Sequence, residues 1–139
     1  MKKTIIFEMI LFIMLALLVA CKRSDSPATL ESMKKSLKNA GYTIIENYTE
    51  LYEPHESSIN STGGFSFIFH GAHGAVNTPV LEFQDTESAE FYAGLVNESG
   101  YFLAIMTDRF LTILEAHDGV AHADDKIFFE NLINGKTIK

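Results

Sequence analysis

The stretch PVLEFQDTESAEFYAGLVNESGYFLAIM, residues 79–106, decides the fold. Pro79 opens a run of β-formers that ends at Phe83. Asp85 or Thr86 then supplies a helix cap, and Glu87 falls in the first turn, where the helix dipole favours a negative charge. Ala89, Tyr92, Leu95 and Val96 recur at helical spacing as an apolar stripe. Gly100 stops the helix, and Tyr101 to Met106 reads as a second strand. A strand, a helix and a strand in succession predict two parallel strands joined by a right-handed crossover.

Outward from this unit the chain continues in the same grammar. Downstream, Phe110 to Glu115 is a strand that returns through Thr107-Asp108-Arg109 as an antiparallel hairpin. A last helix follows, capped near His122 or Asp124, with Phe128, Phe129, Leu132 and Ile133 inward and Gly135 at its end. Upstream, Phe65-Ser66-Phe67-Ile68-Phe69-His70 alternates, so the three phenylalanines share one face that must be buried. Tyr48 to Gly64 and Gly71 to Thr78 read as loops on their Gly, Asn, Ser and Pro content. Ser26-Pro27 marks a helix start; Leu30, Met33, Leu37 and Ala40 form its apolar side, the lysines face away, and Gly41 ends it before a strand over Tyr42 to Asn47. The order α-β-β-β-α-β-β-α predicts an α+β two-layer domain, a mixed β-sheet of about five strands with three helices on one face. The tail is loosely similar to half of a ferredoxin-like fold in element order, a likeness that carries no function.

The N-terminus reads as an address. Met1-Lys2-Lys3 is cationic, and an uncharged apolar run of 12 residues follows from Met9 to Ala20. A spanning helix needs roughly 20 residues, so the run fits a secretory signal better than a membrane span. It ends Leu18-Val19-Ala20-Cys21, which resembles the lipobox of bacterial lipoproteins. That resemblance covers residues 1–21 and implies cleavage between Ala20 and Cys21, with lipidation of Cys21. Glu8 departs from the usual pattern by standing close to the apolar run. Cys21 is the only cysteine in the chain, so lipidation also accounts for an otherwise unpaired thiol in an exported protein. Two acyl chains hold a protein on a bilayer stably where one does not. The expected organisation is a signal peptide over 1–20, a lipidated anchor and short linker over 21–27, and one domain over 28–139. A linker of this length reaches only about 20 Å, which keeps the domain close to the extracytoplasmic face of the cell membrane.

Charge is unevenly spread. The whole chain is −7; removing Lys2, Lys3 and Glu8, which sum to +1, leaves −8 for the mature protein. Residues 22–41 carry +3 and residues 42–139 carry −11. A basic first helix beside the anchor is suited to anionic headgroups, each cation contributing about 1 kcal/mol near the surface. It is equally the solvated face of an amphipathic helix. The acidic remainder excludes a nucleic-acid partner, which wants a basic patch, and suits a basic protein or a cation.

Catalytic signatures are missing: no Gly-x-Ser-x-Gly elbow, no phosphate-binding Gly-x-x-x-x-Gly-Lys, no dinucleotide fingerprint, no His-Glu-x-x-His. The remaining chemistry lies in histidines. His70 and His73 sit in a Gly-rich segment, and His117 and His122 bracket the segment after the last strand beside Asp118, Asp124 and Asp125. Imidazoles and carboxylates bind Zn²⁺ in sets of about four, so the two segments make a divalent metal site if they meet at one sheet edge. Glu46, Glu50, Glu53 and Glu56 form an acidic stretch for Ca²⁺ or a basic partner, without the Asp-rich spacing of a calcium loop. The sequence thus predicts a membrane-tethered, non-enzymatic binding domain without a cofactor. A metal-binding lipoprotein and a cell-envelope enzyme with an unrecognised site are the alternatives.

Overall fold

The alternating phenylalanines sit where their spacing puts them. In the computed structural model, which describes residues 28–46 and 61–139, Phe65, Phe67 and Phe69 are buried on one face of strand β2 (Ser61–Gly71). β2 turns through Ala72 and His73 into β3 (Gly74–Phe83), and the two pair antiparallel from Gly71↔Gly74 to Ser61↔Phe83, with one irregularity between Ser61 and Gly63. Residues 61–64 and 74–78 are therefore strand, not loop. The Gly, Asn and Pro content that suggested a loop has local explanations. Gly74 sits at φ +117° beside the two-residue turn, a conformation open to glycine. Pro79 is tolerated inside β3 because the next strand joins β3 only from Val80 onward. At Gly64 an added Cβ would stand 2.7 Å from the Val80 carbonyl oxygen, so the close approach of the two strands needs glycine there.

Strand β1 is only Ile44–Ile45, paired antiparallel with Phe67 and Ser66, and is shorter than the expected strand from Tyr42 to Asn47. Asn47 lies outside the described residues. β4 (Phe102–Thr107) and β5 (Phe110–Glu115) form a hairpin closed by Asp108 and Arg109, with Asp108 at φ +53°. The sheet order is β1-β2-β3-β5-β4, and every pairing is antiparallel. β3 and β4 do run in the same direction, as the strand-helix-strand reading requires. They are not neighbours, because β5 folds back into the slot between them, and the sheet is not mixed. Residues Phe110 to Leu114 are all buried, and a strand apolar on both faces belongs in the middle of a sheet.

The fold is α+β with the expected element order, and the helices occupy both faces rather than one. α1 (Leu30–Asn39) and α3 (Ala123–Ile133) cover the aromatic face. There Met33, Leu37, Phe129, Leu132 and Ile133 pack with the β2 phenylalanines, Val80, Phe110 and Leu114. α2 (Thr86–Glu98) covers the other face, where Ala89 and Ala93 pack with Leu81, Phe83, Leu111 and Ile113. Alternation along β5 sends Phe110 and Leu114 one way and Leu111 and Ile113 the other, which builds two cores from one strand.

The helix ends follow capping chemistry. α1 starts at Thr29 rather than at Ser26-Pro27, which lie outside the described residues. Thr29 Oγ1 accepts from the Ser32 N–H at 3.1 Å, and Ser32 Oγ accepts from the Thr29 N–H at 2.8 Å. α2 is capped by Asp85, whose carboxylate accepts from the Ser88 N–H at 2.8 Å; that bond holds the carboxyl below its ordinary range. Leu95, placed on the buried stripe by its spacing, points outward and is half exposed, while Ala93 takes the inward place. With two alanines against the sheet, α2 buries the 89–93 line, packs Tyr92 and Val96 half-buried beside it, and turns Phe91 and Leu95 away.

Candidate functional site

Two places in this fold combine exposure with chemistry. The first is where the β2–β3 turn meets the start of α3. Asp125 lies in the first turns of α3, and its Oδ2 accepts from the Ala72 N–H at 3.2 Å. The same carboxylate faces Tyr42, whose phenol is pushed above its ordinary pKa by burial and by the Asp125 charge. Tyr42 in turn joins a ring cluster with Phe67, Phe69, Phe128 and Phe129, with centroids between 4.8 and 6.4 Å apart. Beside it, Ala40, Gly41, Thr43, Ile68 and His70 help line a surface hollow of about 300 Å³.

The two histidine-bearing segments therefore approach one another, as a metal site would require. They do not form a ligand set. His70 is exposed at the end of β2, His73 in the turn, and His122 at the N-cap position of α3 without a side-chain capping bond. His117 is held in its own turn by hydrogen bonds of 2.9 Å in both directions between its backbone and that of Val120. Among the described residues, no group of three or more His, Cys, Asp or Glu is placed to hold a metal ion. Of the acidic stretch, Glu46 is described, and it is occupied with lysines: Lys34 Nζ is 3.1 Å and Lys38 Nζ 3.8 Å from its carboxylate. Lys34 also meets Glu31 at 2.6 Å and is largely covered. The positive charge of α1 is thus mostly paired within the domain, leaving Lys35 as its lysine without an ion-pair partner among the described residues. Glu50, Glu53 and Glu56 lie outside the described residues.

The second place was not visible as a site in the sequence. Phe91 and Leu95 stand one turn apart on the outer face of α2 and are 64% and 50% exposed. Phe102 begins β4 on the same sheet face that α2 covers, since its alternation partners Ala104 and Met106 pack into the α2 core. The Gly119 N–H donates to the Gly100 carbonyl and the Ala116 N–H to the Tyr101 carbonyl, which brings the 116–120 turn against the end of α2. Tyr101 and Val120, in these adjoining segments, are 71% and 72% exposed. Exposed apolar side chains thus stand on the outer face of α2, at the start of β4 and in the turn bonded to it, three adjoining segments that together form an apolar strip.

Five carboxylates lie on the segments that carry it, with no lysine or arginine among them. Glu87, Glu90 and Glu98 lie on α2, Glu115 stands directly opposite Phe102 in the hairpin register, and Asp118 sits two residues before Val120. None of these five carboxylates has an ion-pair partner among the described residues. No lysine or arginine occurs anywhere from residue 39 to residue 108. The signal that marks this surface is a second apolar line on α2, Phe91 and Leu95, beside the line of Ala89, Ala93 and Val96. One helix packed on a flat sheet covers only one of them.

Ala20 and Cys21 lie outside the described residues. Within those residues no helix is long and apolar enough to cross a membrane. No family model matches the chain. Neither a curated protein nor a solved structure matches it either.

Proposed function

We propose that this protein is a lipid-anchored binding domain on the outer side of a bacterial cell membrane, acting through surface contact rather than chemistry. The observation that carries the reading is Leu18-Val19-Ala20-Cys21 at the end of a 12-residue apolar run, with Cys21 the only thiol in the chain. The exposed strip on α2 supports the second half of it. Contiguous exposed apolar surface rimmed by polar groups is characteristic of interaction sites. The domain starts within a few residues of Cys21, so the two acyl chains of a diacylglyceryl group on that sulfur would hold the domain within a short reach of the bilayer.

Cys21→Ser tests the anchor. The native chain is expected in the membrane fraction, with the mass of its N-terminal peptide raised by lipid. The variant is expected to stay unprocessed or to appear in the soluble extracytoplasmic fraction. A processed native chain with an unmodified Cys21, or a processed variant retained on membranes as firmly as the native chain, overturns the reading.

A further inference from the structure

We infer that the apolar strip along α2 binds a cationic amphipathic segment of a partner protein, one that lays an apolar face on Phe91 and Leu95 and carries lysines or arginines at its margins. The inference deepens the reading of the protein as a binding domain and rests on it. Charge complementarity selects the occupant. Five carboxylates without ion-pair partners lie on the segments that carry the strip, and no cation lies on its helix or on β4. An apolar partner of either charge gains from covering the strip, but only a basic one gains from these carboxylates, and a like-charged one is repelled. An anionic lipid surface meets the same repulsion. A second copy of the chain is a poor fit, because the lysines of its own basic helix are mostly taken. Lys34 and Lys38 already pair with Glu31 and Glu46.

The shape agrees with a helix or extended segment rather than a globular face. Gly94 lies beside the Phe91/Leu95 ridge on the exposed side of α2, and an added Cβ there would meet nothing within 4 Å. The two large side chains therefore stand next to a patch of bare helix backbone. A mid-helix glycine costs about 1 kcal/mol relative to alanine, so its presence at an open surface position calls for a compensating role. Close approach of another backbone is such a role.

The test uses the full chain in a nonionic detergent, so it does not depend on where the chain is anchored. The probe is a helix-forming peptide of about five turns with leucines on one face, lysines on the other and one tryptophan. The chain itself has no tryptophan, so the indole signal reports the peptide alone. Saturable binding is expected, weakening as salt shortens the Debye length from about 30 Å to about 8 Å. The same peptide with glutamates in place of lysines should not bind. Phe91→Ser with Leu95→Ser should weaken binding by about tenfold or more, as removal of central apolar anchors does. Glu98→Gln with Glu115→Gln should weaken it severalfold and flatten the salt dependence. All four positions are exposed, and unchanged thermal melting shows that the variants fold. Equal binding by the native chain and the Phe91/Leu95 variant, equal affinity for both peptides, or self-association that buries the strip in the absence of peptide each overturns the inference. Any of these leaves the anchoring result at Cys21 standing by itself.

Discussion

Replacing Phe67 by alanine measures how much of this fold rests on its aromatic face. Phe67 has no exposed surface and lies on β2, with ring centroids 5.8 Å from Tyr42, 6.3 Å from Phe69, 6.4 Å from Phe128 and 6.0 Å from Phe129. Truncation removes a buried ring and leaves a cavity bounded by four other rings, which cannot all collapse inward while β2 and α3 hold the backbones of three of them. The cost of such a change is about 4 kcal/mol. With a urea dependence of about 1.5 kcal/mol per molar, that moves the unfolding midpoint down by about 2.5 M. For a domain of this size it lowers Tm by about 20 °C. Urea unfolding of the full chain, followed by far-ultraviolet circular dichroism, reads the shift. Phe91→Ala is the matched control: the same residue type, exposed on α2, with an expected change within about 0.5 kcal/mol. A Phe67→Ala loss below about 1.5 kcal/mol at unchanged slope, or an equal loss at Phe91, would refute the two-faced burial described for the sheet.

Gly64→Ala forces a Cβ to within 2.7 Å of the Val80 carbonyl and 3.2 Å of Leu81 Cδ2, so it should destabilise by about 1–3 kcal/mol in the same urea assay. Asp85→Ala removes the cap of α2. Because the Ser88 N–H depresses the folded carboxyl's pKa, its stabilisation is present above the ordinary Asp value of about 4 and is lost as pH falls through the lower folded value. The native chain should therefore lose stability faster than the variant over that acid range, as read by melting at stepped pH. Asn97 Oδ1 accepts from the Ala104 N–H at 2.8 Å, covering a donor on the outermost strand. Asn97→Ala should raise the exchange rate of that amide selectively and increase self-association at high concentration, seen by hydrogen exchange and light scattering.

The element order was legible because apolar spacing and caps agree along most of the chain. The Phe65, Phe67, Phe69 alternation, Asp85 as a cap, and Gly41 and Gly135 at helix ends are local signals, and the structure has all of them. What depends on distant parts of the chain was not legible. Nothing in residues 79–106 says that a later strand will enter between their two strands. Likewise Leu95 satisfies a helical stripe as well as Ala93 does, and only the closeness of α2 to the sheet selects the smaller side chain. The strip on α2 was missed for the same reason, since exposure of Leu95 is a property of the packed layers. The histidines show the converse limit. Their segments approach, yet convergence of four imidazoles is a matter of side-chain direction, which spacing within loops does not set.

The position of β5 has a consequence for the order of assembly. The β2–β3 hairpin has a two-residue turn, and an element of that kind closes in about 1–10 μs. The slot between β3 and β4 stays empty until residues 110–115 arrive, and these pair with β3 across the whole length of α2 and β4. A chain threaded through a membrane from its N-terminus would therefore emerge with Leu81 and Phe83 uncovered on the incomplete side. Their cover comes with the last strand and the helix it helps to seat. The chain from residue 110 onward thus sets when folding can finish, and a chain halted before residue 116 would be left with a half-sheet and an open apolar edge.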